Sequence, residues 1–207
     1  MIKIDVRGIP EIQRKFAGLA SDLRNKAMAA AMNKTVAKAK TEMSRRIRAE
    51  FAIKASDVNP LLSIRKASAK GNRLEAVLEA FPKRRGHRSR NVMMFGAKQI
   101  KGKQTKRLRV QVAPGQWRMI DVPVGGGVSV LISKSKGRKL IKGAFIANKG
   151  RTVFIRTGNA RQIKAVETID VPSMFNTRRI NEAIVRKIES DLAVEVDRAI
   201  KFYLGRR

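Results

Sequence analysis

GGGVSVLISKSKGRKLIKGAFIANKGRTVFIRTG, residues 125–158, reads as a set of short strands. Its apolar runs, VSVLIS, KLIKGAFIAN and TVFIR, are rich in β-branched and aromatic residues and are separated by turn residues. Asn148-Lys149-Gly150 between two apolar runs is a short-hairpin signal. Yet the stretch holds eight lysines and arginines and no acid. Like charges on neighbouring strands repel, so ordered β-structure here implies something outside the strands that relieves the repulsion.

The imbalance extends on both sides. Between Ala80 and Val166 there are 22 Lys and Arg against one acid, Asp121. The whole chain of 207 residues has 47 Lys and Arg against 16 Asp and Glu, a formal net charge of +31. Its isoelectric point near 11.6 lies far above the value of about 9 that marks nucleic-acid footprints. Self-repulsion of this size points to a polyanionic or acidic partner. Hydrophobic residues make up 43% of the chain, so a core can still be buried.

Upstream, Ile2, Ile4 and Val6 alternate with polar residues as in a short strand. After Gly8 and Pro10, Ile12, Phe16, Leu19 and Leu23 form a helical stripe that Met28, Met32, Val36, Ala39, Met43 and Ile47 continue. From Asp22 to Glu50 this helix would run about 43 Å at roughly 1.5 Å per residue. SDVNPLLSIRKA is expected to form a short further helix, and RLEAVLEAF a strand. Residues 83–109, basic and punctuated by glycine, read as an arm or hairpin tip outside the core, with VMMF its one apolar run. LRVQVAPGQWRMIDVPV then forms a hairpin across Pro114-Gly115. IKAVETIDV reads as the last strand, ended by Pro172. A second helix follows from about Asn176 to Leu204, with Ile180, Ile184, Ile188, Leu192, Val196, Ile200 and Tyr203 as its stripe. The class is α+β: a long N-terminal helix and a C-terminal helix packed on a twisted antiparallel β-sheet. The chain is expected to be one domain, 1–207, with 83–118 a basic arm or hairpin insertion.

Catalytic chemistry has little to work with. There is no cysteine and one histidine, His87, which sits among Arg84, Arg85, Arg88 and Arg90, company that disfavours its protonation. The acids are scattered; Glu75 and Glu79 share an alternating strand and are expected to face solvent, not to form a dyad. Gly125-Gly126-Gly127 lacks the Gly-Lys-Ser/Thr of a phosphate-binding loop and precedes a strand, so it reads as a joint or tight turn. Trp117 is expected to pack against the sheet. With few aromatic residues for base stacking, contact with the phosphates of duplex DNA is favoured over sequence reading. No enzyme, metal or cofactor is expected. MIKIDVRGIP has no apolar core of a signal peptide, and no window nears the roughly 18 apolar residues of a membrane span, so neither secretion nor a membrane partner is expected.

The order GGG-x-SVL, a basic link, GAFI and a Gly-Arg turn into an aromatic strand resembles the phage and prophage minor tail protein Z family of tail-completion proteins. AMAAAMNKTVAKAKTEMSRRI is similar to the family's Ala-rich N-terminal helix. IDVPSMFNTRRINEAIVRKIESDLAVEVDRAIKFYL is similar to its closing Val-Pro-x-Met segment and C-terminal helix. The resemblance implies a structural virion protein of the bacteriophage tail and neck, assembled in the host cytoplasm, that finishes the head-proximal end of the tail. It implies a homo-oligomeric ring, six copies being the expected number, around genomic double-stranded DNA. Other neck, connector and tail-tube or tail-terminator proteins would be its neighbours. The candidates for phosphate contact are Arg84, Arg85, Arg88, Arg90, Lys98, Lys101, Lys103, Lys106, Arg107 and Arg109, followed by Lys134, Lys136, Arg138 and Lys139. Two alternatives share the charge: a free, sequence-non-specific nucleic-acid-binding protein, and a basic adaptor docking on acidic neck proteins.

Overall fold

In the computed structural model, residues 1–5, 14–15, 20–70, 74–81, 91–102, 104–157 and 162–205 are described. They bear out the α+β class, with the strands divided among four small antiparallel sheets. Two compact units emerge, one from residues 1–49, 55–83 and 170–207, the other from residues 50–54 and 84–169.

The first unit contains strand β1 (Ile2–Asp5), helix α1 (Ser21–Glu50, its last residue in the other unit), the short helix α2 (Ala55–Val58), and strands β2 (Leu62–Arg65) and β3 (Glu75–Ala80). It closes with helices α3 (Val171–Phe175) and α4 (Arg178–Leu204). β3 is the central strand, in the order β1-β3-β2. Its consecutive residues Ala76, Val77 and Leu78 are all buried. Because successive side chains point to opposite faces, both faces of the sheet are covered. Most of the predicted stripe of each helix is buried, Met32, Val36, Met43 and Ile47 on α1 and Ile180, Ile184, Leu192 and Val196 on α4, while Leu23, Met28, Ile200 and Tyr203 toward the ends are half-buried. The portion of the N-terminal stripe formed by Ile12, Phe16 and Leu19 lies outside the described residues. SDVNPLLSIRKA departs from expectation. Its helix stops at Val58, a single 3₁₀ turn spans Asn59–Leu61, and LSIR becomes β2, paired with β3 from Leu62↔Ala80 to Arg65↔Val77. Pro60 admits the tight turn, and pairing with β3 outweighs the helical pattern. Pro172, expected to end the β region, lies in the first turn of α3, where its missing N–H costs nothing. Asp170 caps that helix, its carboxylate accepting from the Ser173 N–H at 3.0 Å.

The long helices are tied by a buried carboxylate. Glu195 on α4 is only 2% exposed. Its Oε1 accepts from Lys38 Nζ on α1 at 2.6 Å and from Arg198 at 2.7 Å. Its Oε2 is buried with no hydrogen-bond partner among the described residues. The hydrogen bond from Lys38 holds the Glu195 pKa below the usual carboxylate range; burial opposes it, and the charges of Lys38 and Arg198 add to the lowering. Elsewhere on α1, Asn33 clasps the backbone of Ala67 through both amide atoms, at 2.8 and 3.0 Å. Glu75, expected at the surface, is half-buried with Lys3 4.0 Å away, while Glu79 accepts from Arg65 at 2.9 Å.

The second unit is built from β4 (Lys98–Ile100), β5 (Gln104–Ala113), β6 (Gln116–Val124), β7 (Gly127–Val130), β8 (Lys139–Lys142), β9 (Ala144–Ala147), β10 (Thr152–Arg156) and β11 (Ile163–Ala165). They form sheets in the orders β4-β7-β8 and β11-β10-β9, plus the β5-β6 hairpin. The turn across Pro114-Gly115 is borne out. So is the β9-β10 hairpin, where Asn148 and Lys149 both adopt the left-handed backbone such turns demand. Val92, Val128, Val130, Ala144 and Val153 form the core. VMMF therefore corrects the reading of 83–109 as an arm outside the core: it is a 3₁₀ turn, Val92–Phe95, with Val92 and Phe95 buried. Asn91 is the physical reason. Its buried Oδ1 accepts from the N–H groups of Met93 and Val153 at 3.0 and 3.2 Å, capping the turn and fastening it to β10.

The triple glycine also has a structural reason. A Cβ on Gly126 would stand 2.8 Å from the Gly102 nitrogen and the Ile100 oxygen, and one on Gly127 would overlap the Ile141 carbonyl. These residues let β7 lie close against its neighbours. Gly127→Ala is expected to destabilise the protein by about 1–3 kcal/mol in urea unfolding, whereas Gln162→Ala, at an exposed position, changes it by less than about 0.5 kcal/mol. Glu195→Gln is expected to cost about 1–3 kcal/mol at pH 7. Because the folded pKa of Glu195 is depressed, its contribution is full above the unfolded value of about 4.3 and fades as pH falls through the folded one. The gap between variant and wild type begins to narrow as pH falls below about 4.3 and closes once the folded carboxylate is protonated, measured by urea unfolding at pH 7 and at a series of acid pH values.

Candidate nucleic-acid interface

The cations of the two units live in different company. In the first, acids sit beside bases: Glu42 accepts from Arg45 and Arg46 at 2.8 Å each, Arg178 reaches Glu182 at 2.7 Å, and Lys187 reaches Asp191 at 2.8 Å. The hydrogen bond from Arg45 leads in holding the Glu42 pKa low, against a smaller opposing effect of burial. In residues 84–169 the sequence has 21 Lys and Arg and only Asp121 and Glu167 as acids. Two carboxylates within the segment are too few to pair with 21 bases.

Around the β4-β7-β8 sheet, Lys98 on β4 pairs in register with Ser129, which in turn pairs with Leu140 on β8. Residues two apart along a strand share a face, so Lys98, Ile100, Leu140 and Lys142 line one side, and all four are exposed. Lys101 follows β4 and is exposed, as are Lys134 and Lys136 in the connection between β7 and β8, and Lys139 at the start of β8. Arg138 is bound to the protein itself. Its Nη2 donates to the Gly96 and Ser129 carbonyls, both at 2.7 Å, and its Nε to Ser129 Oγ at 3.0 Å. The planar fork suits this role, so Arg138 fixes the Gly96 turn against β7 and brings its charge to a fixed place beside Lys98.

On the hairpin, Arg107 and Arg109 share a face with their cross-strand partners Asp121 and Met119. Arg107 Nε lies 3.3 Å from Asp121 Oδ1, with both side chains more than half exposed, a weak pair. The Arg109 guanidinium stands 5.2 Å from the centre of the Trp117 ring. That ring is 53% exposed, so Trp117 does not pack into a sheet as expected; it is the platform for a cation. Lys106 is in β5, opposite Val122. Arg84, Arg85, Arg88, Arg90 and Lys103, together with His87, lie outside the described residues.

The structure adds bases that the candidate set omitted: Arg118 on β6, Lys142, Lys149 and Arg151 are exposed, and Arg156 stands over the Phe145 ring at 5.3 Å. Arg118, Lys142 and Arg156 are single charges within or at the end of strands, where the pleat decides their side, whereas Lys149 and Arg151 lie in the turn between β9 and β10. Among the described residues no three His, Cys, Asp or Glu side chains group as a metal site, and no helix is long and apolar enough to cross a membrane.

No curated protein and no solved structure matches the chain. The family comparison does: the α1 stripe, the glycine-bounded strands and the closing α3-α4 segment all fall within residues 6–207, which match the model of the family described as prophage minor tail protein Z (GPZ), and the chain belongs to that family of phage minor tail proteins.

Proposed function

We propose that this structural tail protein works at the head-proximal end of the tail, in the neck, where it completes the tail and seats the end of the double-stranded genome against the basic surface of its second unit. Family membership gives the tail role and a place in the virion. The excess of 21 bases over two acids in residues 84–169 carries the step to DNA. A solubilising surface intersperses both signs; a surface from which acids are nearly removed matches a polyphosphate. Lysines on mobile stems and few exposed rings suit contact with the backbone of any sequence. Several copies around the DNA, built up in the host cytoplasm, complete the reading. It calls for no cofactor and no catalytic step.

Fluorescence anisotropy with unrelated duplexes tests it. Affinity is expected to be the same for all sequences and to fall about 10³–10⁵-fold between 50 and 200 mM salt, as for roughly 6–10 neutralised phosphates. Lys98→Ala, Lys136→Ala and Lys139→Ala together, all at exposed positions, are expected to lower the salt slope by about three, one for each lost contact. Lys201→Ala, an exposed base near the end of α4, is expected to leave it unchanged. A flat salt response, or an unaltered slope in the triple variant, removes DNA as the partner of this surface.

A further inference from the structure

We propose that the β5-β6 hairpin joins copies of this chain edge to edge, the outer edge of β5 in one copy pairing with the outer edge of β6 in the next. The inference rests on the several-copy reading above and names the surface that makes it.

β5 and β6 are ten and nine residues long, against about five or six for an ordinary strand. At about 3.3 Å per residue they make a ribbon roughly 30 Å long. A two-stranded ribbon of this kind is marginal alone. Among the described residues, no other strand pairs with either of its edges. Each edge therefore offers a row of backbone N–H and C=O groups to an incoming strand.

Charge decides which strand can come. β5 carries Lys106, Arg107 and Arg109 and no acid; β6 carries Asp121 with Trp117 and Met119, and Arg118 as its one base. Two β5 edges would set three cations against three, and like charges across a ladder destabilise it. Two β6 edges would leave every β5 edge open. β5 against β6 is the remaining pairing, and each hairpin already displays its chemistry: Arg107 beside Asp121, and Arg109 over Trp117. A neighbouring β6 brings a second Asp121 and a second Trp117 to the far side of the same arginines. It also keeps strand directions alternating, so the sheet continues antiparallel. Pairing unlike edges is heterologous, and repeated heterologous contacts close into a ring when the rotation allows.

The absence of cysteine makes a clean test. One set of chains receives a single cysteine in β5 (Thr105→Cys or Gln111→Cys) and another a single cysteine in β6 (Met119→Cys). They are assembled on duplex DNA, alone and as mixtures, and oxidised. A disulfide needs Cα atoms within about 7 Å, so the pairs that link report the register. Covalent dimers in the mixed samples, several-fold above those of either set alone, are the expected result. Equal linking within a single set means like edges meet and overturns the proposal. Native mass spectrometry showing a multi-copy assembly with no mixture-specific link overturns edge pairing while the several-copy reading stands. A monomer on DNA overturns both.

Discussion

Electrostatic repulsion within residues 84–169 is the constraint to which the second unit answers. Two exposed charges about 10 Å apart in water repel by roughly 0.4 kcal/mol before salt screens them, so no single pair threatens the fold. Twenty-one bases against two acids multiply that cost across many pairs. Holding against it is a core of small aliphatic side chains, Val92, Val128, Val130, Ala144 and Val153. Directional links supplement that core. Asn91 pins the 3₁₀ turn to β10, and the Arg138 fork pins the Gly96 turn to β7. One of the repelling cations is thereby turned into a brace.

The first unit solves a different problem with different means. Its helices bury long aliphatic stripes, so packing dominates and charges are arranged in pairs around it. Glu195 is the exception. A carboxylate removed from water is tolerated because two bases converge on one of its oxygens. The exposed parts of Lys38 and Arg198 stay hydrated, which limits the desolvation cost to the acid alone. The arrangement also fixes the axial position of α1 against α4, since a shift of one residue would separate Lys38 from Glu195.

How far the sequence carried depended on whether a feature was periodic or particular. The stripes of α1 and α4 repeat over seven or eight turns, and both helices were legible to within a few residues. The hairpin at Pro114-Gly115 and the turn at Asn148-Lys149-Gly150 carry local chemistry that few other structures accept, and they too were legible. VMMF was misread because its burial is decided by Asn91, a polar residue whose partners on β10 lie 62 positions away. LSIR was misread because a strand partner across a chain reversal overrode a helical pattern. In the candidate site, the excess of bases was plain, whereas their separate fates were not. Nothing in the spacing of Arg138 distinguishes a guanidinium that grips two carbonyls from the lysines beside it. Trp117 was expected to pack against the sheet, and its exposed place beside Arg109 follows from a register that alternation by itself leaves undetermined.

Gly143 has a consequence for how the second unit comes apart. It is the single residue between β8 and β9, and its left-handed backbone (φ 70°) turns the chain out of one sheet and into the other. Val128 and Val130 from the first of these sheets share their interior with Ala144 and Val153 from the second. With no slack at the crossing and a common interior, neither sheet can peel off alone without dragging the edge strand to which Gly143 ties it. Two three-stranded fragments, each too small to persist by itself, are thus made to melt as one.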